Sequence, residues 1–150
     1  MMRTLDICTQ DVVSIGPEAS IHQAAQLMRT RHVGCLVVTE GSNGERVPVG
    51  ILTDRDIVIG VVAPDIDIDV LTVGDVMSSP VTCCNGEGEL FDALERMREA
   101  GIRRLPVVNE LGGLIGLLSA DDAVAALGWH LHELTRALTS EQVREMTERV

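Results

Sequence analysis

The chain has 150 residues, of which 45% are apolar, and its formal net charge at pH 7 is −11. This charge repels polyanions, and one Phe, one Trp and no Tyr leave almost no rings for base stacking, so binding to DNA or RNA is disfavoured. All twelve cationic side chains are arginines, which excludes lysine-dependent Schiff-base chemistry.

The sequence also bears on location and metal binding. No stretch is apolar over the length of a membrane span, and the first ten residues lack the apolar segment of a secretion signal. We therefore expect a cytoplasmic protein that does not associate with membranes and whose cysteines are reduced. The cysteines lack C-x-x-C spacing, and His130 and His132 are two apart and would face different sides of a helix, so no metal site is expected.

The first 63 residues predict a strand, a helix, a β-hairpin and a second helix, in that order. Residues 12–15 form a short apolar strand, and the first helix begins near Ser20. The hairpin consists of residues 35–39 and 47–52 around the polar turn EGSNGER, and the second helix starts near Asp54. The first helix has the apolar spacing of one buried face, at Ile21, Ala24, Ala25 and Met28.

The same elements then recur. Residues 6–39 align with 75–108 at a constant offset of 69, and the offset is 66 from Gly50 onward because the first copy has three extra residues at the hairpin turn. Residues 64–72, between the copies, contain the run DIDIDV, in which aspartate alternates with Ile or Val, and this predicts an ordered crossover. A unit present only twice indicates two half-domains that bury their apolar faces against each other, with function at the seam.

A tail follows the second copy. Leu131, Leu134 and Leu138 form a helical stripe, and Thr139 with Gln142 matches a capping box that restarts the helix. An appended amphipathic helix of this kind covers its own domain or pairs subunits.

The strongest local signal is a hydroxyl followed three residues later by an acid, at the junction of a strand and a helix. It occurs as Thr53 with Asp56 and again as Ser119 with Asp122. One interpretation is a capping box, which closes the helix N-terminus with no ligand. The other is a binding site, because a helix N-terminus attracts phosphate and an aspartate accepts hydrogen bonds from ribose hydroxyls.

The order of the motifs resembles that of the CBS domain, and two in tandem resemble a CBS pair, or Bateman module. The shared features are a D-h-M opening, a strand, an amphipathic helix, the run IRRLPVV and the pattern G-h-h-[ST]-x-x-D. The resemblance implies an α/β fold of tandem CBS domains, β-α-β-β-α repeats packed around a pseudo-twofold axis, with a C-terminal helical tail. The expected boundaries are 5–63 for domain 1, 64–74 for the linker, 75–127 for domain 2 and 128–150 for the tail.

The resemblance also implies a ligand and an assembly. Family members often bind AMP, ADP, ATP or S-adenosylmethionine in clefts between the sheets, and often associate as flat dimers. Carried over to this sequence, the ribose pairs are Thr53 with Asp56 and Ser119 with Asp122. The remaining implied contacts are a hydroxyl, two phosphate-facing arginines and the main chain beside the adenine, at Thr82, Arg103, Arg104 and Pro106.

The two copies differ at the phosphate positions. Where the second copy has Arg103 and Arg104, the first has Gly34 and Cys35, so the first cleft lacks both guanidiniums unless Arg55 or a residue of the other half reaches across. We therefore predict one better nucleotide site that uses Ser119 and Asp122, and a weaker or empty site that uses Thr53 and Asp56.

The resemblance to a CBS pair therefore implies a non-catalytic, homodimeric regulatory module that senses an adenine nucleotide and signals to an unknown partner protein. One alternative is a ligand-free interaction scaffold that uses the linker and the leucine-striped tail. Another is a thiol-based redox sensor at the adjacent residues Cys83 and Cys84.

Overall fold

The structure, a computed structural model, describes residues 2–148. The first half contains a short helix, a three-stranded sheet and two further helices, and the last of these continues for one π-helical stretch. Their bounds are α1 Thr4–Ile7, β1 Ser14–Ile15, α2 Ile21–Arg31, β2 Cys35–Ser42, β3 Glu45–Thr53 and α3 Asp54–Ile57, continued by Val58–Val62.

The second half repeats this order after a crossover that contains a 3-10 turn at Ile68–Val70. Its bounds are α4 Val73–Val76, β4 Cys84–Asn85, α5 Leu90–Ala100, β5 Arg104–Val108, β6 Leu114–Ser119 and α6 Ala120–Glu148. Each half has a sheet with its strands in sequence order, in which the first pair is parallel and the second antiparallel. The predicted α/β repeats are confirmed.

The hairpins show where the three extra residues of the first copy lie. β2 and β3 have 8 and 9 residues, whereas β5 and β6 have 5 and 6. The longer hairpin closes tightly through Asn43 and Gly44, whose φ angles of 51° and 81° suit a two-residue turn. The extra residues therefore lengthen the strands, and the turn itself is shorter than that of the second hairpin.

Each half has its own apolar core beneath the first long helix. Helix α2 begins just after Ser20, as predicted, and Ser20 and Gln23 form a capping box there, with hydrogen bonds of 2.9 and 3.0 Å. Fully buried Ile21 on α2 and Leu90 on α5 are equivalent positions, and burying such a side chain contributes about 1.5–3 kcal/mol. The other buried residues on these two helices are also equivalent, at Ala24, Met28, Ala93 and Met97.

The two halves exchange their opening helices. The segment around α1 packs on the second half, where the Thr4 N–H donates to the Gly88 carbonyl at 2.9 Å. The segment around α4 packs on the first half, where the Val73 N–H donates to the Ala19 carbonyl at 2.8 Å. Neither half is closed without a segment of the other, and this joins the two cores at one seam.

Glycines make this exchange possible. A Cβ at Gly50 of β3 would lie 2.5 Å from the sulfur of Met77, and a Cβ at Gly116 of β6 would lie 2.5 Å from the sulfur of Cys8. Gly50 and Gly116 are equivalent positions, as are Met77 and Cys8. The same close approach therefore occurs twice, and a side chain at either strand position would force its neighbours to shift.

The C-terminal tail differs in detail from the expectation. Helix α6 runs unbroken through Gly128, and the predicted restart at Thr139 is wrong, because Thr139 Oγ1 donates to the Thr135 carbonyl at 3.0 Å inside the helix. One glycine costs about 1 kcal/mol in a helix, which good helix formers on both sides can offset. Residues 149 and 150 of the predicted tail lie outside the described residues.

The tail helix makes little contact with its own body. Ala123 is the buried residue of α6, and the predicted leucine stripe is exposed by 54–65% at Leu131, Leu134 and Leu138. Between residues 2 and 148, no helix has both the length and the apolar character required to cross a bilayer.

Candidate ligand-binding clefts

Both hydroxyl–acid motifs are capping boxes. The Asp56 N–H donates to Thr53 Oγ1 at 3.1 Å, and the Thr53 N–H donates back to the Asp56 carboxylate at 2.9 Å. Ser119 and Asp122 form the same pair of bonds, both 3.0 Å. The capping interpretation of the sequence is therefore confirmed in both copies.

Each of the two aspartates keeps one carboxylate oxygen that its capping bond does not use. Each carboxylate uses Oδ2 for its capping bond, and within residues 2–148 no hydrogen bond reaches Oδ1 of Asp56 or of Asp122. Both side chains are half-buried in the first turn of the helix that follows a strand. A carboxylate accepts several hydrogen bonds, so each aspartate can hold its helix N-terminus and still accept from a ligand hydroxyl.

The first cleft lies between the halves and has a volume of about 530 Å³. The first half contributes Thr53 and Asp56 to its lining, and the second half contributes Thr82, Arg103 and Arg104. Apolar side chains supply another part of the lining, at Ile51, Pro80, Val81 and Ile102. The cleft therefore combines a hydroxyl–acid pair, basic groups and an apolar wall.

The second cleft is smaller, with a volume of about 260 Å³. Ser119 and Asp122 line it together with Arg104, and two further carboxylates also border it, at Asp11 and Asp121.

This arrangement corrects the predicted grouping of residues. The sequence analysis placed Arg103 and Arg104 with Ser119 and Asp122, whereas both arginines line the cleft of Thr53 and Asp56, and Arg104 alone borders both clefts. The main chain does follow the expected pairing, because the Ala120 N–H donates to the Arg103 carbonyl at 2.8 Å. Long side chains at the seam reach into the opposite cleft, and adjacency along the chain does not reveal this.

Cys35 lies where charged groups of both halves act on one thiol. Burial raises the pKa of the Cys35 thiol, the positive charge of Arg104 opposes the rise, and the negative charges of Asp56 and Asp54 add to it. One buried thiol thus experiences charges from both halves. Arg104 and Asp56 are close enough to act on the same small region of the seam.

The charges of the two clefts are opposite. Arg55 also lines the first cleft, so three arginines face one aspartate there, whereas one arginine faces three aspartates in the second cleft. Local positive charge attracts phosphate, and guanidiniums bind it through paired hydrogen bonds. The lining of the first cleft is therefore the more basic of the two, although the sequence had assigned the arginines to the cleft of Ser119 and Asp122.

Pro106 lies outside both clefts, whereas Arg103 lines the first cleft and is held only weakly by the protein. Pro106 is buried within β5 and lines neither cleft. Arg103 forms a 3.4 Å ion pair with Asp121, but both side chains are more than 70% exposed, and such pairs contribute about 0–1 kcal/mol. Arg103 therefore remains able to exchange Asp121 for a ligand.

The cysteines have the wrong electrostatics for an activated thiol. All four are free, and burial is the main cause that raises the pKa of each of them, including Cys83; the pKa of Cys84 rises to about 11. Reactive cysteines have lowered pKa values, so this geometry does not favour the redox-sensor alternative. Across residues 2–148, no cluster of three or more His, Cys, Asp or Glu side chains is arranged to hold a metal ion.

Two α/β repeats that exchange helices and enclose clefts at their seam define a paired-repeat module. The profile of the CBS domain matches residues 5–63 and 73–128. The chain therefore belongs to the CBS-domain family, and the resemblance read from the sequence is confirmed.

Relatives share most of this module. An uncharacterised protein of Methanopyrus kandleri is 34% identical over 117 residues, 78% of this chain, and the chain spans 58% of that protein's length. A CBS domain-containing protein of Bacillus subtilis is 34% identical over 122 residues, 81% of this chain and 83% of that protein. A CBS domain protein of Pyrobaculum aerophilum, solved in complex with AMP, has a TM-score of 0.71 and 32% identity over 81% of this chain and 89% of the other.

Proposed function

We propose that the chain is a non-catalytic regulatory module that binds an adenosine-containing ligand, AMP, ADP or ATP, in the first cleft and signals its occupancy to a partner protein. One observation carries the proposal. The hydroxyl–acid pair of one half and the basic residues of the other line the same cleft. The AMP complex of the Pyrobaculum relative supports the choice of an adenine nucleotide.

Each part of the ligand has a counterpart in the lining. Oδ1 of Asp56 is the acceptor for ribose hydroxyls, and Thr53 and Thr82 supply further hydroxyl contacts. Ile51 and Val81 belong to the apolar wall and offer a surface for the base. Arg103 and Arg104 offer paired donors for phosphate. S-adenosylmethionine is the poorest candidate, because its sulfonium is positive and the cleft is lined with arginines.

Signalling follows from the position of the cleft at the seam. A ligand that contacts both halves favours one relative arrangement of them, and the size of the response is limited by its difference in affinity for the two arrangements. We include a homodimer and a cytoplasmic location in the proposal. The dimer is supported by exposed apolar side chains on the helix that begins at Asp54, which are Val58, Ile59 and Val62.

Calorimetric titration tests the proposal. We expect saturable heat with at least one of AMP, ADP and ATP, and an upward shift of the thermal midpoint, since a ligand that binds only the folded state stabilises it. No heat and no thermal shift with any adenine compound at millimolar concentration would contradict the proposal.

A second candidate, the ligand-free interaction scaffold, has its own supporting observation. The tail helix exposes Leu131, Leu134 and Leu138 at the spacing of one helical face. Under this alternative the clefts stay empty, and removing the tail abolishes association with the partner. The two functions make different predictions for a chain without the tail. Nucleotide binding that persists after tail removal favours the regulatory module, and loss of association with the partner without any nucleotide binding favours the scaffold.

A further inference from the structure

The longer hairpin of the first half reaches the turn of the second hairpin. Asn109 Nδ2 donates to Glu45 Oε2 at 3.2 Å, and both residues are half-buried. Glu45 is the first residue of β3, and Asn109 directly follows β5. Within residues 2–148, this is the one side-chain hydrogen bond between the two hairpins. It joins the two sheets directly, whereas the contacts around α1 and α4 join the halves through exchanged segments.

The turn of the second hairpin holds Asn109 in place. Its Oδ1 accepts from the N–H groups of Leu111 and Gly113, both at 2.9 Å, so the carboxamide is fixed with Nδ2 directed toward the first half. A donor that its own turn already orients loses little freedom when it meets an acceptor, which strengthens the contact.

Glu45 fits closely against the same turn. A Cβ at the buried Gly113 would overlap Oε2 of Glu45 and would lie 3.0 Å from Nδ2 of Asn109, so the carboxylate occupies space that a side chain at position 113 would need. Across residues 2–148, no cationic nitrogen lies within 4.0 Å of this carboxylate. The amide of Asn109 is therefore its partner, and loss of that donor would leave a half-buried charge unsatisfied.

The contact lies at the start of two strands whose ends carry the cleft residues. Glu45 begins β3 and Thr53 ends it, while Gly113 directly precedes β6, which ends at Ser119. β3 and β6 pack against each other across the seam. A strand rises about 3.4 Å per residue, so the contact lies roughly 25 Å from Thr53 along β3. The two strands are thus joined at one end and border the clefts at the other.

We propose that the hydrogen bond between Glu45 and Asn109 is a latch between the halves, which positions the cleft ends of β3 and β6 from the opposite ends of the same strands. Neither residue lines a cleft, so the latch acts through the strands. Because the strands are held together at their starts, relative movement of the halves opens or closes their cleft ends. The latch requires no nucleotide, and it goes beyond the proposed function.

The unequal length of the two copies creates the latch. Glu45 belongs to the turn sequence EGSNGER, where the first copy has its three extra residues. The lengthened β2 and β3 carry this segment to the turn of the second hairpin. Two hairpins of equal length would not provide this contact, so the latch makes the two-repeat module asymmetric.

An exchange of donor and acceptor tests the latch. Asn109→Asp keeps an oxygen for the turn but places a second carboxylate against Glu45, and a further Glu45→Gln change restores a donor on the other side. We expect Asn109→Asp to lower the thermal midpoint by about 3–6 °C and the double variant to recover most of this loss. Glu40→Gln is the matched control, because Glu40 is an exposed glutamate of the same hairpin and forms no ion pair within residues 2–148.

Amide chemical shifts of the full chain without ligand show whether the effect reaches the clefts. The backbone N–H signals of Thr53, Arg104 and Ser119 should move in Asn109→Asp and return toward their wild-type positions in the double variant. A contact that stabilises only its own turn would move the signals of residues 109–113 and leave the cleft signals in place. Glu45→Ala is a second route, because it removes the acceptor without adding a charge, and it should move the same cleft signals.

The outcomes decide the inference. Cleft signals that move in Asn109→Asp and Glu45→Ala, return in the double variant and stay in place in Glu40→Gln support the latch. Cleft signals that stay in place in both latch variants, or a double variant no more stable than Asn109→Asp, overturn it. If Asn109→Asp does not fold, the cleft signals of Glu45→Ala decide alone. None of these measurements involves a nucleotide, so failure of the proposed function would leave the latch standing, and the reverse also holds.

Discussion

Asp56 and Arg104 line the same cleft, although they belong to different repeats. The aspartate caps the helix that follows β3, and the arginine begins β5 in the other half. A molecule that contacts both residues must bridge the seam. Most of the expected behaviour of the protein follows from this relationship.

The two aspartates of the repeated motif should contribute unequally to binding. We predict that Asp56→Asn weakens ADP or ATP binding by about tenfold or more, since a hydrogen bond to a charged group contributes about 1.5–3 kcal/mol. Asp122→Asn should change the affinity by less than about threefold, because its cleft is smaller and has acidic neighbours. Asparagine keeps a side-chain oxygen for the capping bond, so both variants should fold. A larger loss with Asp122→Asn in calorimetric titration would restore the ranking expected from the sequence.

Gly50 should be intolerant of a side chain. We predict that Gly50→Ala lowers the free energy of unfolding by about 1–3 kcal/mol, because the new Cβ would lie 2.5 Å from the sulfur of Met77 and 3.0 Å from the Ser78 carbonyl oxygen. Gly41→Ala is the control, since a Cβ at Gly41 meets nothing within 4 Å. Urea denaturation measures both.

The effect of a side chain at position 50 should depend on Met77. Met77→Ala should cost less stability in the Gly50→Ala background than in the wild type, because the shortened side chain makes room for the new methyl group. Strict additivity of the two changes would show that Met77 does not pack against Gly50.

Cys84 should make stability depend on pH in the alkaline range. Burial raises the pKa of this thiol from about 9 in the unfolded chain to about 11 in the folded one, so its contribution to stability is complete below pH 9. As the pH rises from 9 to 11, the unfolded state loses the proton before the folded state does, and the free energy of unfolding should fall. Urea denaturation at pH 8.5 and 10.5 measures this. Cys84→Ala should reduce the difference, and an unchanged difference would assign the effect to other groups.

The tail helix should be dispensable for the body of the protein. A chain that ends at Gly128 is predicted to keep its thermal midpoint within about 2 °C and its nucleotide affinity within about twofold, because residues 129–148 include no buried side chain. Circular dichroism and calorimetry measure these quantities. A fall of more than about 5 °C would show that the tail packs on the body or on a second copy.

Features governed by local chemistry could be predicted from the sequence. Ser20 with Gln23 marks a helix start, and Asn43-Gly44 suits a tight hairpin turn, so the elements of each repeat follow from nearby residues. The same holds for the hydroxyl and acid at Thr53 and Asp56, whose spacing alone predicts the capping box.

Features that depend on the packing of one half against the other could not be predicted from the sequence. The pairing of β5 with β6 places Arg104 beside Ser119. The side chain of Arg104 also lines the first cleft, and this depends on how the two halves pack against each other. Arg55 does carry a sequence signal, because it lies between the cap residues Thr53 and Asp56 and therefore beside the same cleft. Thr139 with Gln142 has the spacing of a capping box but does not start a helix, because helix α6 is already continuous there and the Thr139 hydroxyl donates to the Thr135 carbonyl.

A crystal structure of the chain with bound ADP tests the central claim most directly. We predict that the ribose hydroxyls lie against the carboxylate of Asp56 in the first cleft and that the phosphates contact Arg104 from the other half. Nucleotide bound in the cleft of Ser119 and Asp122, with the first cleft empty, would contradict it.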